Sequence, residues 1–186
     1  MTTQQQQDEF VAFRESCIWL RNCYNTFNHL FNSGPEIEAT LRRIASEFFG
    51  DLNSILQEYF FLQARRVTDP AATGSRENLT LQNINAGLTT AGLMTQEISD
   101  PSASILGYRV LISDISNRVV AHPDKAIALC PGLVGAHSKH EIESFMDNLQ
   151  DYTDAVGIVL GVGPLDYRVQ SGPGDVQDLL GALRRV

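Results

Sequence analysis

Apolar residues recur at intervals of three and four along much of the chain, which is the spacing of one face of a helix. One stripe starts at Phe10 and a second at Ile37, and "NSGP" at 32–35 ends the first helix and starts the next. We predict an antiparallel hairpin of helices over residues 8–32 and 35–65. The stripes are Phe10, Phe13, Cys17, Leu20, Tyr24, Phe27 and Phe31, then Ile37, Leu41, Ile44, Phe48, Leu52, Ile55, Tyr59 and Leu62.

The middle of the chain predicts a loop and two further helices. Residues 67–78 are dense in Asp, Pro, Gly and Ser, and Thr80 then suits the N-cap of a short helix. The segment "ISDPSAS" should end that helix and place Pro101 in the first turn of the next one. The next helix has the stripe Ile105, Tyr108, Ile112, Ile115 and Val119.

Two more helices are predicted in the last third. Ser138 and Glu141 have the spacing of a capping box, and residues 175–186 read as a short final helix. No alternation typical of strands persists anywhere in the sequence. The pattern therefore predicts an all-α fold, an antiparallel bundle of about five to six helices. We expect one domain over 1–186, with residues 1–7 as a frayed polar tail.

Composition agrees with a globular domain. The chain has 186 residues, of which 43% are hydrophobic and 19% charged, enough for a core and unlike a disordered protein. The net charge of −8 argues against tight nonspecific binding to nucleic acid. The pairs Arg42/Arg43 and Arg65/Arg66 could still contact one RNA strand, or simply form solvated helix faces.

Several features predict a cytoplasmic protein without a membrane segment. The start "MTTQQQQDEF" lacks the basic and apolar regions of a secretory signal, and the apolar run at 155–163 is too short to span a bilayer. Cys17 and Cys23 would lie about 9 Å apart along one helix, too far for a disulfide. Unpaired cysteines fit a reducing compartment.

The stretch "SNRVVAHPD" at 116–124 contains the candidate chemistry. Pro123 disfavours helical dihedrals at His122, so a helix should end there with the imidazole at its negative pole, which favours the protonated ring. Arg118 lies one turn earlier, and Asp124 can orient the ring. An imidazole beside a cation can cleave RNA without metal, by accepting the 2'-hydroxyl proton while the cation stabilises the phosphate. Alternatively, His122 extends the apolar stripe and only packs there.

Other signals predict no cofactor or metal. His137 and His140 lie three residues apart, but no third ligand follows at a suitable spacing, and Ser138 serves as an N-cap. The glycines of "GIVLGVG" lack the strand, turn and helix of a phosphate-binding loop.

The chain resembles the HEPN superfamily, and within it the abortive-infection proteins of the AbiU type. The resemblance runs through residues 24–31, 42–58, 64–84 and 114–129, with "DPAATGSRENLTL" and "AHPDKAIAL" as its most specific parts. It implies a compact helical domain, frequently a homodimer, with a motif at the end of a core helix. Many HEPN proteins are metal-independent endoribonucleases of toxin–antitoxin, phage-defence or RNA-processing systems. The resemblance thus implies an RNA substrate and an antitoxin or other protein partner.

The motif of that superfamily is an arginine, a polar residue, several variable positions and a histidine. His122 matches the histidine, Asn117 the polar residue and Asp124 an acidic residue that often follows, while Arg118 occupies a basic position of the subgroup. Ser116 stands where the arginine is expected. The resemblance therefore implies a ribonuclease lineage with a degenerate motif, and the alternative is a non-catalytic helical module that binds a protein or another ligand.

Overall fold

The computed structural model describes residues 3–116, 138–169 and 172–185, with only the backbone given for 114–116. The described residues form six helices and one small antiparallel strand pair. The fold is all-helical, as predicted. The elements are α1 (Gln4–Phe31), α2 (Pro35–Thr68), β1 (Ala72–Thr73), β2 (Arg76–Glu77), α3 (Leu81–Thr90), α4 (Gln96–Ser116), α5 (Lys139–Leu160) and α6 (Val176–Leu183).

The first turn of α1 is well capped. Residues 4–7, which we expected to fray, are helical because Thr3 and Gln6 form a capping box. Gln4 and Gln5 also donate hydrogen bonds to the carboxylates of Asp8 and Glu9, one turn along the helix. Glutamine is also a good helix former. Helix propensity and these side-chain hydrogen bonds therefore stabilise a polar turn that has few apolar contacts.

A kink at Ala45 separates the two halves of α2. Ala45 has φ −161° and ψ 72°, an extended conformation inside the helix. The sequence stripe assumes a constant rotation of about 100° per residue, so the extended residue turns the second half of α2 relative to the first. The stripe makes Phe48 a core or interface residue. In the single chain its side chain is 61% exposed while Phe49 is buried, so Phe48 is not part of the core of one copy. Ile55 is likewise exposed and Phe60 buried.

Helix α4 begins earlier than predicted. Its first residue is Gln96, so Pro101 lies inside the helix instead of in its first turn. The extra turn forms because Ile98 and Ile105, seven residues apart on one face, are both fully buried. Backbone amides of Ile98 and Ser99 bond to the carbonyl of Thr95, which starts the helix without any help from the proline.

Contacts along α5 show how the bundle is arranged. The ring of Tyr108 on α4 stacks on Phe145, with centroids 4.5 Å apart. Asn85 of α3 bonds to both Ser102 on α4, at 2.7 Å, and Tyr152 on α5, at 2.9 Å. Residue numbers thus rise along α4 as they fall along α5, and the two helices are antiparallel. The end of α4 at Ser116 and the start of α5 therefore lie at the same end of the bundle, which we call the motif end.

At the opposite end of the bundle, α1 is hydrogen-bonded to the end of α5 and to the residues that follow it. Gln7 donates to the carbonyl of Leu160 at 2.7 Å, and Arg14 donates to the carbonyl of Gly163 at 3.1 Å. A Cβ added at Gly157 would lie 2.2 Å from the Gly163 oxygen, so only glycine lets the chain fold back against α5 here. The carbonyls of Leu160 and Gly163 thereby gain hydrogen bonds from side chains of α1 where the chain leaves α5.

The core has two parts. The larger part lies between α1, α2, α3, α4 and α5, and it also contains Tyr167 from the connector after α5. The smaller part covers the elbow between α1 and α2, where Leu180 of α6 packs against Leu30, Ile37, Leu41 and Phe49. Asp175 caps α6 by accepting bonds from the amides of Gln177 and Asp178. These two backbone bonds hold the pKa of the Asp175 carboxyl below its usual value.

Candidate functional site

The predicted catalytic residues follow directly on α4. Asn117, Arg118, His122 and Asp124 lie outside the described residues, so their arrangement stays a prediction. The structure does describe the backbone of Ser116, the last described residue of α4 and the position of the missing motif arginine. The carbonyl groups of α4, and with them the negative end of its dipole, therefore point toward the motif end.

The N-terminus of α5, at the motif end, has a complete capping box. The Ser138 hydroxyl accepts a bond from the Glu141 amide at 3.2 Å, and the Glu141 carboxylate accepts one from the Ser138 amide at 2.8 Å. This is the predicted capping box, and the expected N-cap at Thr80 is also present. The side chain of Lys139 leaves the same turn and lies 3.6 Å from the Glu143 carboxylate.

An apolar cleft opens at the motif end between α1, α2 and the first turns of α5. Its volume is about 210 Å³. Sequence reasoning missed it because its walls come from three segments that are distant in the chain. Four aromatic rings, two aliphatic side chains, three carboxamides and one lysine line it: Tyr24, Phe27, Phe60, Phe61, Leu56, Ile142, Asn28, Asn32, Gln57 and Lys139.

The polar side chains of this cleft are held by their neighbours. Asn32 donates its amide to the Asn28 oxygen at 2.7 Å, and Gln57 donates its amide to Asn53 one turn earlier. Tyr24 is buried, and its hydroxyl has no hydrogen-bond partner among the residues that the structure describes. The cleft therefore presents fixed carboxamides at the edge of an apolar surface.

A buried cation supports α1 against α5 near the cleft. Arg21 is 6% exposed and lies 3.5 Å from the Asp147 carboxylate. Burial lowers the pKa of its guanidinium, and the negative charge of Asp147 opposes that shift. Because a buried charge without its partner is costly, this pair fixes the two helices in register.

The remaining sequence candidates have ordinary structural settings. Arg42 pairs with Glu38 at 2.6 Å, and Arg65 and Arg109 share Asp69 at 3.7 Å and 3.4 Å. Cys17 and Cys23 are buried free thiols, as predicted, and burial raises the pKa of both. His140 is exposed, and no group of three metal-binding side chains occurs within the described ranges. No helix in those ranges is long and apolar enough to cross a membrane.

Together these observations define a class: an antiparallel helical bundle in which the described part of a core helix leads into a polar histidine-containing motif. The sequence model of the HEPN AbiU2 family, described as AbiU2, matches residues 4–179. The chain therefore belongs to this HEPN-type abortive-infection family. The resemblance stated from the sequence is thus confirmed. No curated protein and no solved structure matches the chain.

Proposed function

We propose that the protein is an abortive-infection protein that cleaves RNA without a metal ion, at a reduced rate. The observation that carries this proposal is the match to a HEPN family over residues 4–179, with Asn117 and His122 at the motif spacing in the sequence that follows Ser116. Ser116, where arginine is expected, accounts for the reduced rate. Losing one contact that stabilises transition-state charge costs a factor of about 100 or more.

Each residue of the motif has a role in this proposal. His122 accepts the proton of a ribose 2'-hydroxyl, whose oxygen attacks the adjacent phosphorus as the bond to the leaving 5'-oxygen breaks. Arg118 offsets the charge that develops on the phosphate, and Asn117 donates a hydrogen bond to it. Asp124 orients the imidazole, and the 5'-oxygen takes its proton from solvent.

The test is RNA cleavage by the purified protein in a chelator. We expect slow cleavage of a mixed-sequence RNA by the natural protein and none by His122→Ala, since the proton acceptor is lost. The stability of His122→Ala should stay within about 1 kcal/mol of the natural protein, because a helix-end imidazole contributes little packing.

The matched control for this test is His140→Ala, which removes an exposed histidine at the start of α5. Its cleavage rate should equal that of the natural protein. Equal absence of cleavage in the natural protein and in His122→Ala would contradict the ribonuclease proposal. The alternative function, a binding module without catalysis, would then be favoured. Ser116, which stands where the motif arginine is expected, supports that alternative.

We also propose that two copies pair through the outer face of α4. On α2, Phe49 and Phe60 are covered within the chain. On α4, by contrast, Val110 is 72% exposed and Leu111 50% exposed. Gly107 lies one turn earlier, with open space around it. Small and apolar side chains on one face allow two identical helices to pack closely around a two-fold axis.

Light scattering at tens of micromolar tests this pairing. The natural protein should have twice the chain mass of 20.5 kDa, and Val110→Glu should be monomeric because it buries charge at the interface. Ile158→Glu is the control, since Ile158 is 63% exposed on another helix and should leave the dimer intact. A natural protein that is monomeric throughout this range would rule the dimer out.

A further inference from the structure

We propose that the cleft at the motif end binds one nucleotide of single-stranded RNA, with its base among the aromatic rings and its phosphate on Lys139. This inference names a specificity subsite for the RNA-cleaving function proposed above, and it rests on that function. Three features of the described residues support it: the walls of the cleft, its polar edge and its charge.

The walls suit a flat aromatic ligand. Tyr24, Phe27, Phe60 and Phe61 all line the cleft, and unstacked RNA bases bind to such side chains by stacking. The volume of about 210 Å³ lies below the range of about 300–1,000 Å³ that is typical of pockets for drug-sized molecules. The cleft is therefore suited to a single ring system.

The polar edge suits the hydrogen-bonding rim of a base. Asn28, Asn32 and Gln57 each offer an amide donor and a carbonyl acceptor, a mixture that base edges also present. The bond between them uses the Asn32 amide and the Asn28 oxygen, which leaves the Asn28 amide and the Asn32 oxygen for a ligand. A lipid tail offers these groups no hydrogen bond, which disfavours it as an occupant.

The charge around the cleft favours a phosphate. In a chain of net charge −8, the described residues that line this cleft include a lysine and no carboxylate. Lys139 is 67% exposed at the mouth and can turn from Glu143, 3.6 Å away, toward a bound anion. The capping box uses the backbone amides of Ser138 and Glu141, so we assign the phosphate contact to the side chain of Lys139.

Location connects the cleft with the chemistry. Lys139 and Ile142 belong to the first turns of α5, at the same end of the bundle as Ser116. A nucleotide held in the cleft would therefore place the next phosphodiester on the side of the bundle where the motif begins. The cleft would select which nucleotide stands beside the cleaved bond.

The test measures binding of a fluorescent eight-nucleotide single-stranded RNA to His122→Ala, which cannot cleave the probe if the proposed function is right. Added to this background, Phe27→Ala should weaken binding about tenfold by loss of one base stack. Gln57→Leu, which keeps the size of the side chain, should reduce discrimination among uridine-, adenosine-, cytidine- and guanosine-rich probes. Lys139→Gln should lower the slope of log affinity against log salt by about 0.7, the share of one phosphate contact.

Arg184→Gln is the control for Lys139→Gln, because it removes an exposed cation at the C-terminal end of α6, outside the cleft. It should leave the salt slope unchanged. A second arm uses UMP and AMP: binding as tight as that of the RNA identifies a free nucleotide as the ligand, and binding only of the RNA identifies the strand. Circular dichroism should show that Lys139→Gln, an exposed change, folds like its parent.

Equal RNA affinity and salt slope in the cleft variants and in Arg184→Gln would overturn the subsite, as would the absence of any RNA or nucleotide binding. The two proposals fail separately. If cleavage depends on His122 but is unchanged in the cleft variants, the ribonuclease proposal stands and the subsite proposal is contradicted. If RNA binding depends on the cleft but the natural protein does not cleave RNA, the subsite proposal stands and the ribonuclease proposal is contradicted.

Discussion

Ser116→Arg is expected to raise the rate of RNA cleavage about a hundredfold over the natural protein. The substitution restores a cation to the motif, where it can stabilise the charge that develops on the phosphate. An imidazole at His122 would already be present to accept the proton. Single-turnover cleavage of a defined RNA in a chelator measures the gain. The double variant with His122→Ala should be inactive, which shows that the new activity uses the motif.

The control for this gain is Ser104→Arg, which adds the same charge to the exposed face of the same helix, far from its end. We expect no acceleration there, because the cation is remote from the phosphate. If both arginine variants accelerate cleavage equally, the effect is a general attraction of RNA to added charge. Equal inactivity of the natural protein and Ser116→Arg would contradict a degenerate ribonuclease site.

Phe145→Ala is expected to lower the free energy of unfolding by about 3–5 kcal/mol. Phe145 is 2% exposed, and its ring meets those of Phe60 and Tyr108, so truncation leaves a cavity at the centre of the bundle. Urea denaturation followed by circular dichroism measures the change.

Phe48→Ala is the matched control on α2, and it should cost less than about 1 kcal/mol because the ring is already exposed to solvent. A large loss of unfolding free energy in Phe48→Ala, with a small loss in Phe145→Ala, would contradict the rotation of α2 at Ala45. A loss at Phe48 that depends on protein concentration would instead place this ring in an interface between copies.

Regular helices and their caps could be predicted from the sequence, because the physical signals for both are local. Apolar residues recur at helical spacing without interruption along α1 and α5. Thr80 and Ser138 each stand three residues before the backbone amide that they cap. The kink at Ala45 could not be predicted in this way. Alanine favours a helix, and Leu41 before the break and Phe49 after it pack in the same smaller part of the core, so no local signal marks the break.

The candidate site was predictable only in part. The order of Asn117 and His122 before a proline is a property of one short segment, so the sequence and the family resemblance identify it. The cleft depends on the packing of Phe27, Gln57 and Lys139 from three helices, and no periodicity relates such positions. Its polar members also read as ordinary surface residues in the sequence. The cleft could not be predicted because its residues are distant in the sequence and come together only in the folded chain.

The bonds from α1 to the end of α5 make the two ends of that helix unequal in local stability. Gln7 and Arg14 hold the carbonyls at Leu160 and Gly163, whereas the first turn of α5 is held by its own cap and by side-chain packing. Partial opening of α5 should then begin at Lys139 and spread toward Gly157, since the free energy of local unfolding follows the local contacts. A ligand on the first turns of α5 would oppose that opening, and substrate binding would be coupled to the order of the helix itself.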